Sequence, residues 1–262
     1  MKKILLNSVL TTVLALCTGA VSAQPVELRR SGTANPRDNA VVTAAVASPR
    51  TISFSGITWS VKSSAGDLWG PGPNNFSDDP GNVWVDAQGR LHLKITYDNG
   101  VWKCAEVIAQ TSLGYGTYRF TIDSEVANLD PNVVLGLFTW NDDPAFNHRE
   151  IDIEFSRWGN ADDPTNVQYT VQPYTTSANL QRWTQNAGYS QTTHSFRWTK
   201  NSLGFESQSA GNTLKSWTYT RRTGIPRPGA ENPRINLWLF RGAAPQNGLS
   251  VEVIVGKFEH LR

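Results

Sequence analysis

Three acidic residues alternate with apolar residues near the middle of the chain. Glu150, Asp152 and Glu154 are separated by Ile151 and Ile153. Successive side chains of a β-strand point to opposite faces, so a strand at this position places the three carboxyl groups together on one face. The β-branched isoleucines favour a strand over a helix and would point the other way, into a core.

Neighbouring carboxylates repel each other, and this repulsion together with partial burial raises the pKa of a carboxyl group. One carboxyl can then stay protonated near neutral pH while another is ionised. Such a pair is what cleavage of a glycosidic bond requires. Glu150 and Glu154 would lie ~13 Å apart at Cα, and side chains that lean together can approach the ~5–5.5 Å of retaining glycosidases. The alternatives are a solvent-exposed acidic face and a calcium site.

The segments around this strand show the same alternation of apolar and polar residues. From Thr51 onward such runs are short and are separated by Gly, Pro, Asn and Asp. They include residues 82–85, 91–95, 118–122, 133–140, 167–171 and 251–258. No long segment keeps a helical period. The pattern therefore predicts an all-β fold, a sandwich of two antiparallel sheets.

The first 23 residues have the pattern of a secretory signal peptide. Lys2 and Lys3 precede an apolar stretch, and residues 21–23 form a small-residue cleavage site. The stretch is shorter than the ~20 residues of a spanning helix, which disfavours a membrane anchor. Residues 24–50 are predicted to be a flexible N-terminal segment and residues 51–262 a single domain. We therefore expect a secreted or periplasmic protein.

The composition indicates which kinds of molecule the protein is expected to bind. The formal net charge is +2 at pH 7 and the basic residues are scattered, so nucleic-acid binding is not expected. After signal cleavage Cys104 is the only cysteine, which leaves no internal disulfide. The ten tryptophans fit either a core or platforms for the apolar face of a sugar. We expect a monomer without a metal or cofactor.

Residues 150–154 resemble the Glu-x-Asp-x-Glu motif of the family 16 glycoside hydrolases. The uninterrupted spacing is similar to that of lichenases (β-1,3-1,4-glucanases) and xyloglucan-modifying enzymes. The resemblance extends from about Ser53 to Phe258. It implies a concanavalin-like β-jelly roll with the three carboxylates on its concave sheet. It also implies a retaining endo-hydrolase that acts on a β-linked polysaccharide, with a β-glucan as the first candidate.

The resemblance also implies roles for individual residues. Glu150 would be the nucleophile, Glu154 the acid/base and Asp152 the assisting residue between them. Six further residues would line the sugar cleft: Glu106, Phe138, Trp140, Gln168, Asn236 and Trp238. Trp140 is the leading candidate for a sugar-stacking platform. A core position is the alternative for Phe138 and Trp238, and a surface position is the alternative for Glu106.

The chain departs from the family pattern in several places. Lichenases carry an arginine two residues after the glutamate that matches Glu106, where this chain has Ile108, and they pair the cysteine that matches Cys104. Ile254 stands where many members have a calcium-binding aspartate, so no calcium is expected. Three functions remain open: a hydrolase, a transglycosylase with the same residues, and a non-catalytic lectin of the same fold.

Overall fold

The computed structural model describes residues 48–262. This part of the chain contains sixteen β-strands and three 3-10 turns of three residues each, and it has no α-helix. The all-β fold class is therefore confirmed. The predicted signal peptide and nearly all of the predicted N-terminal segment lie outside the described residues. Within them, no helix has the length and apolar character needed to cross a membrane.

The strands form two antiparallel sheets that are joined along one side. Sheet 1 has the order β11-β10-β9-β8-β15-β6-β2-β1 and sheet 2 the order β4-β5-β16-β7-β12-β13-β14. The strands are β1 (Thr51–Phe54), β2 (Ile57–Val61), β3 (Asn75–Phe76), β4 (Val83–Val85), β5 (Leu91–Asp98), β6 (Val101–Ala109), β7 (Gly116–Ile122), β8 (Val133–Trp140), β9 (Ile151–Phe155), β10 (Val167–Val171), β11 (Leu180–Trp183), β12 (Thr192–Trp198), β13 (Leu203–Ser209), β14 (Asn212–Tyr219), β15 (Asn232–Leu239) and β16 (Val251–Leu261).

The hairpin between β5 and β6 connects the two sheets. Asn99 and Gly100 form its two-residue loop, and both have positive φ angles of 51° and 84°. Asn-Gly is the preferred sequence for such a loop because its twist matches that of the paired strands. The short strand β3 runs parallel to β6, while the other strand pairs described here are antiparallel.

The core lies between the inner faces of the two sheets. Ile151, Ile153 and Phe155 of β9 are fully buried there, as the alternating pattern predicts. One buried polar network also crosses the core. The Ser207 hydroxyl of sheet 2 lies 2.6 Å from the Tyr169 hydroxyl of sheet 1 and 2.7 Å from Nδ1 of His194. These bonds satisfy polar groups that burial would otherwise leave unpaired.

Candidate active site

The outer face of sheet 1, called the site face below, carries the predicted site residues in aligned rows. In the first row, Glu154 on β9 lies opposite Gln168 on β10 and Gly136 on β8. Gly136 in turn lies opposite Asn236 on β15, which lies opposite Glu106 on β6. A methyl group on Gly136 would overlap with the Asn236 side chain. A glycine at this position therefore leaves room for the Asn236 amide within the row.

A second row runs beside the first. Asp152 lies opposite Phe138 on β8, which lies opposite Arg234 on β15, and Arg234 lies opposite Ile108 on β6. Residues opposite each other in antiparallel strands point to the same face. The sheet register thus brings together side chains that are distant in sequence. It adds Arg234, which was missed by the sequence interpretation, to the predicted residues.

The three carboxyl groups of the triad have strongly perturbed acidity. Burial, reinforced by repulsion from Glu154, raises the pKa of Glu150 to about 8. Burial also raises the pKa of Glu154 to about 7 and that of Asp152 well above its ordinary value. The sequence interpretation expected one raised pKa beside an ionised carboxylate, whereas all three are raised. Desolvation disfavours each charged form, so the triad shares protons at neutral pH.

Asp152 lies between the two glutamates of the triad, and burial raises its pKa well above the ordinary value. It is only 3% exposed, and both glutamates of the triad repel its negative charge. Its side chain is hydrogen-bonded to Glu150, which lowers the pKa of Glu150 and raises that of Asp152. Gln172 donates a further hydrogen bond to Asp152 Oδ2 at 3.1 Å. Protonated Asp152 therefore donates to Glu150 and favours the ionised form of that carboxyl.

Glu154 is oriented by a hydrogen bond from a residue of the neighbouring strand β10. Gln168 Nε2 donates to Glu154 Oε2 at 2.7 Å. The other end of the Gln168 amide is fixed as well, because its Oε1 accepts from Trp158 Nε1 at 3.0 Å and from Arg182 Nη1 at 2.9 Å. These two donors fix the orientation of Gln168, so its amine faces Glu154. Neither Trp158 nor Arg182 was identified from the sequence.

The segment before Glu150 is strained. Residues 146–149 have four consecutive φ angles between 52° and 59°. For residues other than glycine this left-handed conformation costs roughly 1–2 kcal/mol each. Surrounding bonds hold the turn: Thr139 Oγ1 donates to the Arg149 carbonyl at 2.8 Å, and the Arg149 Nε donates to the Arg227 carbonyl at 3.0 Å. The turn places Glu150 just before β9, still in extended conformation, and such strain is typical of functional sites.

Glu106 lies at the β6 end of the first row. It is 1% exposed, so the alternative of a surface carboxylate is wrong. Its Oε2 lies 2.8 Å from Lys62 Nζ, and its Oε1 lies 3.6 Å from Nη1 of Arg234. The Asn236 amide also donates to Oε2, at 3.5 Å. Two cations thus compensate the buried carboxylate, as its burial requires.

Trp140 lies at the end of β8 with one face of its indole covered. The His148 ring stacks on it at a centroid distance of 4.1 Å and an interplanar angle of 7°. His148 is itself held by the Asn141 carbonyl, 2.8 Å from its Nδ1. The guanidinium carbon of Arg234 lies 5.9 Å from the centroid of the indole ring. A sugar that stacks on Trp140 therefore has to use the surface that His148 leaves free.

Phe138 and Trp238 are both 8% exposed. Phe138 belongs to the site face because its register partners are Asp152 and Arg234. Trp238 lies two residues after Asn236 on β15 and packs edge-on against Trp158, with centroids 6.1 Å apart. Both side chains thus border the site while contributing to packing. The site residues named from the sequence therefore lie on neighbouring strands of one sheet face.

No protein-family model matches the chain, and no curated protein matches it. Several solved structures are similar to it. The β-glucanase of Bacillus licheniformis superposes with a TM-score of 0.58 at 21% identity, over 80% of this chain and 94% of that chain. A pseudo β-1,3-glucanase and immunostimulatory antigen of Mycobacterium tuberculosis gives 0.58 at 22% identity, over 78% and 90%.

A Bacteroides ovatus family 16 protein of a mixed-linkage glucan system, solved in complex with a product, is also similar. Its TM-score is 0.57 at 15% identity, over 78% of this chain and 94% of that chain. At these identities the likeness shows the fold. The chain therefore has the fold of the family 16 β-glucanases, and the jelly roll that the sequence resemblance implied is confirmed.

Proposed function

We propose that this protein is a glycoside hydrolase that cleaves a β-linked glucan by a retaining double displacement. The observation that carries the proposal is the cluster of three carboxyl groups with raised pKa, two on β9 and one just before it. The fold shared with β-glucanases supports the same conclusion, although fold alone does not determine activity. This reaction needs one carboxylate that attacks the anomeric carbon and one carboxyl group that protonates the leaving oxygen.

In the first step the Glu150 carboxylate attacks the anomeric carbon while Glu154 protonates the departing oxygen. The hydrogen bond from Asp152 favours the ionised form of Glu150. Gln168 occupies Oε2 of Glu154, so Oε1 is free to carry the proton. The pKa values of about 8 for Glu150 and about 7 for Glu154 mean that both groups exchange protons near neutral pH in the free protein. The proposed step uses the form in which Glu150 is ionised and Glu154 carries the proton.

In the second step Glu154, now ionised, removes a proton from water. The water oxygen attacks the anomeric carbon, the ester to Glu150 breaks, and the sugar leaves with its original configuration. Protonated Asp152 then again donates to the released Glu150 carboxylate.

The decisive measurement is the anomeric configuration of the first product, followed by NMR. A panel of β-glucans, xyloglucan, agarose and carrageenan first identifies the preferred polysaccharide by release of reducing sugar. We expect a β-glucan to be cleaved with retention. A first product of inverted configuration would contradict the double displacement.

Two variants separate the roles of the glutamates. Glu150→Ala should abolish turnover, and added azide should give a product of inverted configuration, because azide attacks the substrate directly. Glu154→Ala should keep some activity on substrates with a good leaving group, and azide should then give retained configuration. Glu206→Ala serves as control, since Glu206 lies on β13 of the other sheet and accepts a hydrogen bond from Thr213. Exchanged outcomes for the two glutamates would reverse the assignment.

Two alternative functions would give different results in these assays. A transglycosylase would form longer oligosaccharides from an added acceptor instead of releasing reducing sugar. A lectin would bind the glucan without changing it, and one structural neighbour is itself named a pseudo β-1,3-glucanase. The paired glutamates with raised pKa favour catalysis, because binding alone does not need them.

A further inference from the structure

Arg234 on β15 places a guanidinium group on the site face, next to the apolar side chain of Ile108 on β6. Ile108 of β6 stands where the lichenase pattern has an arginine. Arg234 of β15 is its direct register partner, so the two side chains point to the same face on neighbouring strands. The distance between paired Cα atoms is only ~4.5–5.5 Å. A long side chain at Arg234 can therefore reach the space above Ile108.

The protein leaves most of the donors of Arg234 unused. The side chain is 12% exposed, and its guanidinium carries five N–H donors. Within residues 48–262 it makes a single hydrogen bond, a long one of 3.4 Å from Nη2 to Asp142 Oδ1. Its Nη1 lies 3.6 Å from Glu106 Oε1, and its Nε is buried without any partner. A guanidinium used only for structure would be better satisfied.

Arg234 is also close to the reacting groups. Its register partner on the other side is Phe138, which lies opposite Asp152. The positive charge of Arg234 lowers the pKa of Glu150, against the stronger effect of burial. The guanidinium therefore lies within electrostatic reach of the carboxyl group that is proposed to attack the sugar.

We propose that Arg234 is a substrate-binding residue that donates hydrogen bonds to the hydroxyl groups of the sugar beside Glu150, in place of the arginine that β6 lacks. This inference rests on the proposed function. The sugar it binds is a neutral one, because Glu106 and Asp142 flank the guanidinium and offset its charge. A planar group with several parallel donors suits adjacent hydroxyls of a pyranose, and an amine would not reproduce it.

The test exchanges the side chains of Ile108 and Arg234. The variants are Arg234→Gln, Arg234→Lys, Arg234→Ile, and Arg234→Ile combined with Ile108→Arg, each checked for folding by its thermal transition. Arg197→Gln is the control, since Arg197 is exposed on β12 of the other sheet. We expect Arg234→Gln and Arg234→Ile to raise KM at least about tenfold, the effect of losing hydrogen bonds from a charged donor. The double variant should recover most of that loss.

A second measurement does not depend on turnover. Carbon-13 NMR of proteins labelled at the glutamate carboxyls gives the titration midpoint of Glu150, assigned with Glu150→Gln. Arg234→Gln should raise this midpoint, because it removes a positive charge that lowers the pKa of Glu150. Arg234→Lys keeps the charge, so it should leave the midpoint near that of the wild type while still raising KM.

The outcomes separate this inference from the proposed function. If the wild type releases no sugar, the hydrolase assignment fails; binding of a β-glucan oligosaccharide to the wild type and to Arg234→Gln then still tests Arg234, and equal affinities overturn its role. If the wild type is active, an unchanged KM in Arg234→Gln overturns the inference. A double variant no better than Arg234→Ile would also overturn it, because a guanidinium at the neighbouring position would then not replace Arg234.

Discussion

The raised pKa values of the triad predict that the site destabilises the fold at neutral and alkaline pH. The perturbation is Glu154→Gln, which removes the charge and keeps the shape of the side chain. The new amide oxygen can still accept the hydrogen bond from Gln168 Nε2, which is 2.7 Å long in the wild type. The substitution therefore tests the charge at this position with little change in packing.

The magnitude follows from the pKa of Glu154, which rises from the ordinary value of 4.5 to about 7. Because the folded-state pKa is raised, stability is fully present below pH 4.5 and is lost as the pH rises through 7. A rise of this size corresponds at most to roughly 3 kcal/mol. The carboxyl is partly exposed, so we expect about half of that, on the order of 1–2 kcal/mol at pH 8. For a domain of this size the Tm should rise by about 2–8 °C.

The assay is thermal and urea unfolding of the wild type and Glu154→Gln at pH 8 and pH 4.5. Glu206→Gln, on the outer side of the other sheet, is the matched control. Glu154→Gln should be more stable than the wild type at pH 8, equally stable at pH 4.5, and inactive as a hydrolase at both. A variant that is no more stable than the wild type at pH 8 would refute the reasoning. Equal gains at both pH values would show that packing, and not charge, is the cause.

Two other predictions concern residues outside the triad. Burial lowers the pKa of His194 to about 3 from 6.5, so stability present above pH 6.5 is lost as the pH falls toward 3. Urea unfolding should show a decrease of roughly 2–3 kcal/mol from pH 7 to pH 4.5, and a smaller decrease in His194→Gln; equal slopes would contradict this. Trp140→Ala should weaken substrate binding by ~1–3 kcal/mol through loss of the aromatic contact. Unchanged KM and kcat on the preferred polysaccharide would count against a stacking role for Trp140.

The burial of Glu106 depends on residues that are far from it in sequence. The resemblance placed this residue in the cleft and left a surface position as the alternative. Whether a carboxylate is buried depends on the cations that face it, and here these are Lys62 on one side and Arg234 on the other. Both are far from Glu106 in sequence, so no local pattern identifies them. The covering of Trp140 by His148 depends in the same way on how the turn of residues 146–149 folds back.

The sequence by itself determined the all-β class and the common face of Glu150, Asp152 and Glu154, because the two-residue period of a strand is a local property. It also placed Ile151 and Ile153 in the core, where the structure has them. Only the tertiary structure decided which side chains surround those carboxyls. Gln168 was already named from the sequence resemblance, but its bond to Glu154 depends on the register of β10. Arg182 and Arg234, which were not named, reach the site through the register of β11 and β15. That register is fixed by packing of the whole sheet, and it sets both the acidity of the triad and the donors that face a substrate.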